Sequence, residues 1–475
     1  MRKIIVSMML VLMSYSVKAD DFNIPSVKSA GVINPDNRDI PTPAKPSVDK
    51  GIFSKDESQT NQTKEWTVMV FMNANNNLSE GQLFGLVGKW GTKDIDEMKK
   101  VGSTDKVNVV VEFSETGKGA KRMLILKKGI LNSGEKVYLT DPKADMGDYR
   151  RVIDFVKWSK QNFPAKKYML IIWNHGLGWI DPVMSNHTAG TGTSKGISFD
   201  DNSKNYIRTK QLGEILKNTG YVDVFAMNAC LMQMAEVAYE IKDYTGLIVG
   251  SEETMLAYGF NYEKLLNFIN SNPNSSKTQI SDFFINWYKE FFSEGADVGP
   301  VTMPLDSVAA TLSTLEPSAV KELPQYLSYL ATVAMKNDEK DAVKSAVSSV
   351  IRFTSIADPT EDKKKMIAPY VDLYDFARII SENAKNSETK KAANTLMSFI
   401  KNKLVIRSVG INKDAENNYD YTKVGGIAIN MTMKIKPVPP AYDDILETKY
   451  QDLSLSKDSS WDEFVSWSDK VWSEN

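Results

Sequence analysis

Short apolar runs alternate with amphipathic segments along residues 64–300. Apolar runs bounded by polar loops are typical of buried strands, whereas apolar residues three and four positions apart predict helices. Helical spacing follows Asp148, a predicted N-cap, and recurs near 209–218 and directly after Cys230. This alternation predicts an α/β fold with a mainly parallel central sheet and helices on both faces. The predicted strands are 66–72, 107–113, 168–175, 222–230 and 246–251, with a hairpin-like stretch around 122–126 and 137–139.

Beyond about residue 265 the pattern becomes largely helical. Two later apolar runs, 403–407 and 425–431, predict strands that we expect to return to the same sheet. The tail carries Trp461, Phe464, Trp467 and Trp472, which predict an amphipathic packing helix. Helical spacing dominates three stretches, 278–292, 319–335 and 370–384.

The N-terminus has the pattern of a cleaved secretory signal peptide. Two basic residues precede the apolar run 4–13, and Val17 and Ala19 place small residues just before Asp20. A membrane anchor is the competing interpretation, but the run is too short to span a bilayer comfortably. We therefore expect a secreted or periplasmic protein, with no stable membrane insertion after cleavage.

The length of the chain, 475 residues, exceeds one ordinary core and predicts two or three compact units. Prolines and polar residues fill the stretch from 20 to 63, which we interpret as a linker or pro-segment. The domain division that follows is a signal peptide (1–19), the Pro-rich segment (20–63), an α/β domain (64–300) and a C-terminal helical and strand region packed on it (301–475).

Composition and charge narrow the class of protein. Hydrophobic residues make up 42% and charged residues 25% of the chain, as in soluble globular proteins. The formal net charge is −2, from 58 basic and 60 acidic residues, so no overall field attracts nucleic acid. Lysine-rich runs at 363–365 and 390–391 are interpreted as solvated helix faces. We therefore expect no nucleic-acid partner.

Cysteine and histidine are scarce, with one Cys and two His in the whole chain. A zinc site needs three or four clustered ligands, so we expect no metal centre of this kind. His187 lies in a polar loop and is interpreted as solvent-exposed. Cys230 can form no disulfide within the chain, which leaves a reactive thiol, an intermolecular link or a small buried residue.

Cys230 and His175 each follow an apolar run, at the end where open α/β sheets place working residues. Neighbouring parallel strands lie about 5 Å apart, so both side chains can face one site. A thiol attacks a carbonyl as thiolate, and we expect the histidine and the N-terminus of a helix starting at Leu231 to favour that anion. The Gly176 and Cys230 amides are candidate oxyanion donors, although Gly176 also suits a simple turn.

Several motifs around these residues occur in a characteristic order and spacing. They include Phe71-Met72-Asn73-Ala74, Asn174-His175-Gly176, Ala229-Cys230-Leu231-Met232, Ser251-Glu252-Glu253 and Tyr370-Val371-Asp372-Leu373. With these motifs the sequence resembles the clostripain-type cysteine peptidases, which are grouped with caspases, gingipains and legumains on the caspase–haemoglobinase fold. The resemblance covers most of residues 64–475. It implies a caspase-like α/β/α sandwich and an exported cysteine endopeptidase that forms an acyl-enzyme with peptide or protein substrates.

The same resemblance implies roles for individual residues. His175 and Cys230 form the catalytic dyad, and the Gly176 and Cys230 amides form the oxyanion hole. In relatives that cut after Arg or Lys, an aspartate stands two residues before the cysteine, where this chain has Asn228. A second pocket acid falls, by spacing, near Tyr258. A buried cation without a carboxylate is costly, so P1 Arg or Lys and an uncharged polar P1 both stay open. The substrate-binding candidates are Asn228, Ser251, Glu252 and Tyr258.

Further expectations follow from the resemblance. Some relatives are zymogens cut between histidine and cysteine, and Lys195 is the candidate autoprocessing residue here. No cofactor is required by the dyad, although clostripain depends on calcium and acidic pairs such as Asp200-Asp201 are present. We expect a monomer. The alternatives are a catalytically retired relative that binds peptides or partner proteins, and a thiol amidohydrolase or acyltransferase acting on another substrate.

Overall fold

The computed structural model describes residues 63–82, 87–129, 133–181, 196–298, 301–353, 369–414, 418–434 and 446–474. The strands within these ranges, in chain order, are β1 (Lys64–Ala74), β2 (Gly81–Gln82), β3 (Val87–Gly88), β4 (Val107–Glu115), β5 (Gly119–Ile125), β6 (Glu135–Asp141), β7 (Ala165–Trp173), β8 (Ile197–Asp200), β9 (Asn205–Ile207), β10 (Val224–Asn228), β11 (Ile248–Gly250), β12 (Ala296–Val298), β13 (Val301–Met303), β14 (Ala310–Leu315), β15 (Arg352–Phe353), β16 (Tyr370–Asp372), β17 (Val405–Ile411) and β18 (Ala428–Asn430).

Helices connect and flank these strands. The last α-helix of the chain confirms the amphipathic helix predicted from the tryptophan-rich tail. The α-helices are α1 (Trp90–Val101), α2 (Tyr149–Asn162), α3 (Thr209–Thr219), α4 (Ala235–Ile241), α5 (Tyr262–Ser271), α6 (Lys277–Glu294), α7 (Pro317–Val320), α8 (Leu323–Lys336), α9 (Lys340–Ser349), α10 (Leu373–Asn383), α11 (Ser387–Phe399), α12 (Ser454–Asp458) and α13 (Trp461–Ser473).

Nine of the described strands form one central sheet, in the order β17-β14-β11-β10-β7-β1-β4-β5-β6. The five middle strands, β11, β10, β7, β1 and β4, run parallel. The two strands at each edge are antiparallel to their neighbours. The predicted α/β fold with a mainly parallel core of the sheet is confirmed, and the hairpin expected around 122–139 is β5 and β6.

Burial explains why the middle strands are continuously apolar. Parallel strands that are covered on both faces have no solvent side and therefore no polar alternation. In β10 every residue is buried, and in β1 the nine residues from Trp66 to Ala74 are buried. Helix α1 packs against α5, while α2 packs against α3 and α3 against α4.

The C-terminal region completes the sheet on one side. Strands β14 and β17 extend it, so strands from both sides of residue 300 share one sheet. The expectation that 425–431 joins the same sheet was wrong, because β18 pairs with β16 in a separate sheet with β15. The helix expected from residue 370 begins at Leu373, since Asp372 caps it by accepting from the Asp375 amide.

No helix in the described part of the chain is long and apolar enough to cross a membrane.

Candidate active site

Strand pairing brings His175 and Cys230 together. Trp173, the last residue of β7, lies opposite Asn228, the last residue of β10, in parallel register. The pairing continues past the strand ends, because the Asn174 amide donates to the Asn228 carbonyl over 3.3 Å. Since each residue follows its strand by two positions, both side chains emerge at the same edge of the sheet. The juxtaposition expected from the sequence is present in the structure.

Both residues line one small cavity. Its volume is about 30 Å³, which suits one or two water molecules and is too small for a peptide side chain. Two wider grooves of about 540 and 660 Å³ lie on helical surfaces and are lined by neither residue. The lining residues of the small cavity are Leu78, Trp173, Asn174, His175, Asn228, Ala229, Cys230, Met255, Leu256, Ala257 and Gly259.

The Cys230 thiol is buried, with 5% of the residue exposed. The Met255 amide donates to its sulfur over 3.3 Å, and the thiol faces the Met255 carbonyl at 3.8 Å. Burial raises the pKa of Cys230 to about 11. The Glu253 charge also raises this pKa, whereas the hydrogen bond from the Met255 amide lowers it. In this closed arrangement the sulfur is therefore a neutral thiol at neutral pH.

The helix expected at Leu231 begins later. Leu231 has a φ of +60°, and the helix α4 starts at Ala235 after an extended Met234. Residues 231–234 are held by contacts from distant segments, since the Gln233 amide donates to the Ser251 carbonyl and the Gln233 carbonyl accepts from the Ala428 amide. The expectation that a helix N-terminus stabilises the thiolate was wrong, because a dipole effect fades beyond the first turn.

The His175 ring is held by a residue that the sequence reasoning missed. Its Nε2 lies 2.9 Å from the side-chain oxygen of Asn77, and only 4% of His175 is exposed. Asn77 follows β1, the strand beside β7 in the sheet. The signal was available as the asparagine-rich loop 73–77, placed at the end of a parallel strand next to the one that carries the histidine.

Gly176 is explained by a close approach of two chain segments. A Cβ at this position would lie 2.3 Å from the Cys230 carbonyl oxygen and 2.9 Å from the Met232 side chain. These separations are too short for any larger residue to fit without a shift. Glycine thus lets the main chain after His175 pack directly against the main chain of Cys230.

Asn228 is one of the residues that line the cavity. Its side-chain amide donates to the Tyr262 hydroxyl over 3.3 Å. Gly259 packs on the same side chain, because a Cβ there would lie 2.5 Å from the Asn228 oxygen, and its φ of +53° also favours glycine. Tyr258 lies aside from the cavity lining: its hydroxyl donates to the Asp297 carbonyl over 2.7 Å, and its ring centroid is 4.7 Å from that of Trp90.

The other two predicted substrate-binding residues are buried behind the site. Ser251 donates to the Glu253 carbonyl over 2.8 Å, and its hydroxyl contacts Thr311 at 2.9 Å. Glu252 is 1% exposed, and burial, followed by the nearby Asp372 carboxyl, raises its pKa well above the usual range. The structure therefore brings Asn228 to the cavity, but not Ser251, Glu252 or Tyr258.

A buried carboxyl that the sequence reasoning missed lies behind the cavity wall. Asp94 on α1 accepts from the Trp173 indole over 2.6 Å, and Trp173 lines the cavity. Burial, followed by the neighbouring Glu97 charge, raises the pKa of Asp94 well above its usual range. Both effects favour the protonated acid over the carboxylate behind this wall.

Lys195 and His187 lie outside the described residues. Asp200, from the acidic pair considered for calcium, is fully engaged as an acceptor: Asn75, Asn202 and Ser203 donate to its Oδ1 and the Met146 amide to its Oδ2. No cluster of three or more His, Cys, Asp or Glu side chains suited to a metal is present in the described ranges.

The fold and the paired residues define a class of protein. A cysteine and a histidine at the carboxyl ends of adjacent parallel strands, in a mostly parallel sheet, are the arrangement of a caspase-like cysteine peptidase. Comparison with known proteins identifies the family. The profile of the clostripain family matches residues 70–467, and the chain belongs to that family. It is accordingly a cysteine endopeptidase.

Individual relatives agree with this assignment. Clostripain from Hathewaya histolytica is 24% identical over 421 residues, which cover 78% of this chain and 75% of the relative. A secreted cysteine protease from Bacteroides thetaiotaomicron, solved in complex with an irreversible peptide inhibitor, matches 84% of this chain and 99% of its own at 19% identity and a TM-score of 0.60. An inactive zymogen protease from Parabacteroides distasonis matches 84% of this chain and 99% of its own, at 19% identity and a TM-score of 0.58. At these identities the two structures show the fold alone.

Proposed function

We propose that the protein is an exported endopeptidase in which Cys230 is the nucleophile and His175 transfers the protons. The observation that carries this proposal is the shared cavity at the ends of β7 and β10, lined by both side chains. The alternative, a catalytically retired relative that binds peptides, is not favoured by membership of the family. The presence of both Cys230 and His175 does not favour it either.

The proposed mechanism uses these two side chains and the main-chain amides beside them. The Cys230 proton passes to the His175 imidazole, and the thiolate attacks the scissile carbonyl carbon. The amides of Gly176 and Cys230 bind the resulting oxyanion, since Gly176 packs directly against the main chain of Cys230. His175 then protonates the leaving amine, which leaves a thioester on Cys230. Water deprotonated by His175 hydrolyses this acyl-enzyme and restores the thiol.

Substrate binding has to widen the site. The cavity of about 30 Å³ cannot admit a P1 side chain, and the buried thiol has a pKa of about 11. Opening the cavity exposes the sulfur to water and to His175, and both changes lower the pKa of the thiol. Activation of the nucleophile is therefore coupled to occupation of the site.

We further propose that the P1 side chain is polar and uncharged. Asn228 in the cavity lining offers an amide that can hydrogen-bond but cannot neutralise a cation. Burial and the Glu97 charge raise the pKa of Asp94, the carboxyl behind the wall, which makes it a weaker partner for a cation. Binding a lysine or arginine there would leave a poorly compensated charge, which costs several kcal/mol.

A randomised peptide library tests this function. Wild type is compared with Cys230→Ala and His175→Ala, and with His187→Ala as a matched control for the second histidine of the chain. We expect cleavage by wild type and His187→Ala alone, with Asn, Gln, Ser or Thr preferred at P1. Cleavage by Cys230→Ala at the wild-type rate would contradict the proposal, and a strong preference for Arg or Lys would contradict the P1 assignment.

Export and processing have a separate test. We propose cleavage of the signal peptide before Asp20 and Cys230-dependent autoprocessing within the stretch between His175 and Cys230, where a cut after Lys195 would count against the uncharged P1 preference proposed above. The N-termini of the purified chains distinguish the two events, because only the second depends on Cys230. In the Cys230→Ala variant we expect a chain that begins at Asp20 and is uncut between His175 and Cys230. We also propose that cleavage needs no metal or cofactor, which an assay in chelator tests.

A further inference from the structure

The segment that follows β11 wraps around the nucleophile. The Leu231 amide donates to the Glu253 carbonyl over 3.2 Å, and two residues further the Met255 amide donates to the Cys230 sulfur over 3.3 Å. The position of the Met255 amide thus depends on how residues 253–255 are held. This amide is a donor to the thiol and lowers its pKa, because a hydrogen bond to sulfur favours the anion.

The carboxylate of Glu253 holds this segment. Only 6% of Glu253 is exposed. One of its oxygens accepts from the Thr254 amide over 2.7 Å, and the other accepts from the Tyr421 hydroxyl at 2.5 Å. Tyr421 is 2% exposed and belongs to a short turn of 3₁₀-helix, Tyr421–Lys423, in the C-terminal region. Its hydroxyl also lies 3.3 Å from the Arg352 carbonyl, so it connects three segments.

We propose that Glu253 and Tyr421 are a positioning pair for the nucleophile: together they hold the Met255 amide on the Cys230 sulfur. The inference rests on the proposed role of Cys230 and deepens it. Neither residue is among those that line the cavity: both act on the sulfur through the Met255 amide, and Glu253 also acts on it by its charge when ionised. The C-terminal region thereby contributes to the reactive centre through a side chain 168 residues away from Glu253 in the sequence.

The two members of the pair act on the thiol in opposite directions. Tyr421 secures the Met255 donor and favours the thiolate, whereas an ionised Glu253 disfavours it by like charge. Burial raises the pKa of Glu253 to about 7, so it is mostly ionised at pH 8 and mostly neutral at pH 6. The titratable groups that interact with Glu253 are Glu252, Cys230, Tyr288, Asp414 and Tyr421.

Three variants separate positioning from simple stability. Tyr421→Phe removes one hydroxyl and keeps the ring. Glu253→Gln keeps an acceptor for the Thr254 amide and removes the charge. Tyr450→Phe is the matched control, because the Tyr450 hydroxyl donates to the buried Glu236 carboxylate over 2.8 Å in the same kind of pair. The readout is the alkylation rate of Cys230 by iodoacetamide at pH 6 and pH 8, which needs no peptidase activity.

We expect Tyr421→Phe to be alkylated at least about threefold more slowly at both pH values, since each unit of thiol pKa changes the rate by roughly that factor after the compensating change in nucleophilicity. Glu253→Gln should react about threefold faster than wild type at pH 8 and equally fast at pH 6. Tyr450→Phe should react like wild type.

Two results would overturn the inference. One is a wild-type alkylation rate in Tyr421→Phe, and the other is an equal slowing in Tyr421→Phe and Tyr450→Phe, which indicates a general loss of stability. Urea unfolding of each variant shows whether it is folded at the assay temperature. If wild type cleaves no peptide in the library, the proposed function fails, while the alkylation rates still decide whether Glu253 and Tyr421 position the thiol.

Discussion

The imidazole of His175 and the side-chain amide of Asn77 lie 2.9 Å apart at the edge of the sheet. An amide oxygen accepts only, so this contact places the proton of the neutral ring on Nε2 and leaves the lone pair on Nδ1. The same contact stabilises the imidazolium, because the oxygen also accepts from the charged ring. Asn77 thus orients the ring that transfers protons in the proposed mechanism.

The first prediction concerns this contact. Asn77→Leu keeps the approximate size and removes the acceptor, so we expect kcat to fall by about tenfold or more, the worth of a hydrogen bond to a charged group. Without the acceptor the ring also loses its fixed orientation. The measurement is kcat with one peptide substrate for wild type and Asn77→Leu; an unchanged kcat would contradict the role of Asn77.

The second prediction concerns P1 selectivity. Asn228→Asp places a carboxylate in the lining of the cavity, where it can pair with a cationic side chain. We expect the ratio of kcat/KM for P1 Lys to that for P1 Gln to rise by about tenfold or more, which corresponds to roughly 1.4 kcal/mol. Matched peptides that differ only at P1 measure the ratio. If the ratio stays constant, Asn228 does not contact the P1 side chain.

The third prediction compares two glycines with positive φ. A Cβ at Gly259 would lie 2.5 Å from the Asn228 oxygen, whereas a Cβ at Gly117 meets nothing within 4 Å. Gly117→Ala should cost only the backbone strain of about 1 kcal/mol, and Gly259→Ala about 2–4 kcal/mol, together with a loss of P1 selectivity. Chemical denaturation gives both free energies of unfolding. Equal losses of unfolding free energy in the two variants would show that the Asn228 side chain moves aside at no energetic cost.

The fourth prediction is a pH dependence of stability. Burial raises the pKa of Glu236 to about 7, from about 4.3 in an unfolded chain. A raised pKa in the folded state means that the stabilisation is complete below about pH 4.3 and is lost as the pH rises through about 7. The free energy of unfolding should therefore fall between pH 5 and pH 8.

Glu236→Gln isolates this contribution. The variant keeps an acceptor for the Asn430 amide and cannot ionise. The fall in its free energy of unfolding between pH 5 and pH 8 should therefore be smaller than that of wild type by on the order of 3 kcal/mol. The exposed Glu388→Gln is the control and should keep the wild-type slope. Denaturation at a series of pH values measures the slopes. Parallel curves for wild type and Glu236→Gln would exclude this origin of the pH dependence.

Local pattern predicted the strands of the central sheet other than β14, and it placed His175 and Cys230 at one edge of that sheet. Apolar runs mark the buried strands, and the rule that working residues follow the carboxyl ends of parallel strands places His175 beside Cys230. The error at Leu231 has a tertiary cause. Residues 231–234 have apolar spacing typical of a helix, but the main-chain contacts of Gln233 with Ser251 and Ala428 hold this segment out of the helical conformation. Spacing along the chain does not reveal such contacts.

The remaining parts of the site depend on residues that are distant in sequence. Asn77 and His175 are in contact but lie 98 positions apart in the sequence, and Tyr421 and Glu253 lie 168 positions apart. The buried Asp94 reaches Trp173 across 79 positions. Each pair forms because separate elements pack together in the fold. Hydrophobic periodicity in a single sequence does not reveal such contacts. The strand at 425–431 was misplaced for the same reason, because a short apolar run does not specify its partner strand.

The central claim, that Cys230 is the nucleophile of an endopeptidase, has one direct measurement. Wild-type protein is titrated with a peptidyl electrophile, and the extent of the covalent adduct and the residual peptide cleavage are followed in the same samples. We expect one adduct per chain, on the peptide that contains Cys230, with cleavage lost in proportion to it. Full cleavage by protein that carries the adduct on Cys230 would show that Cys230 is not the nucleophile.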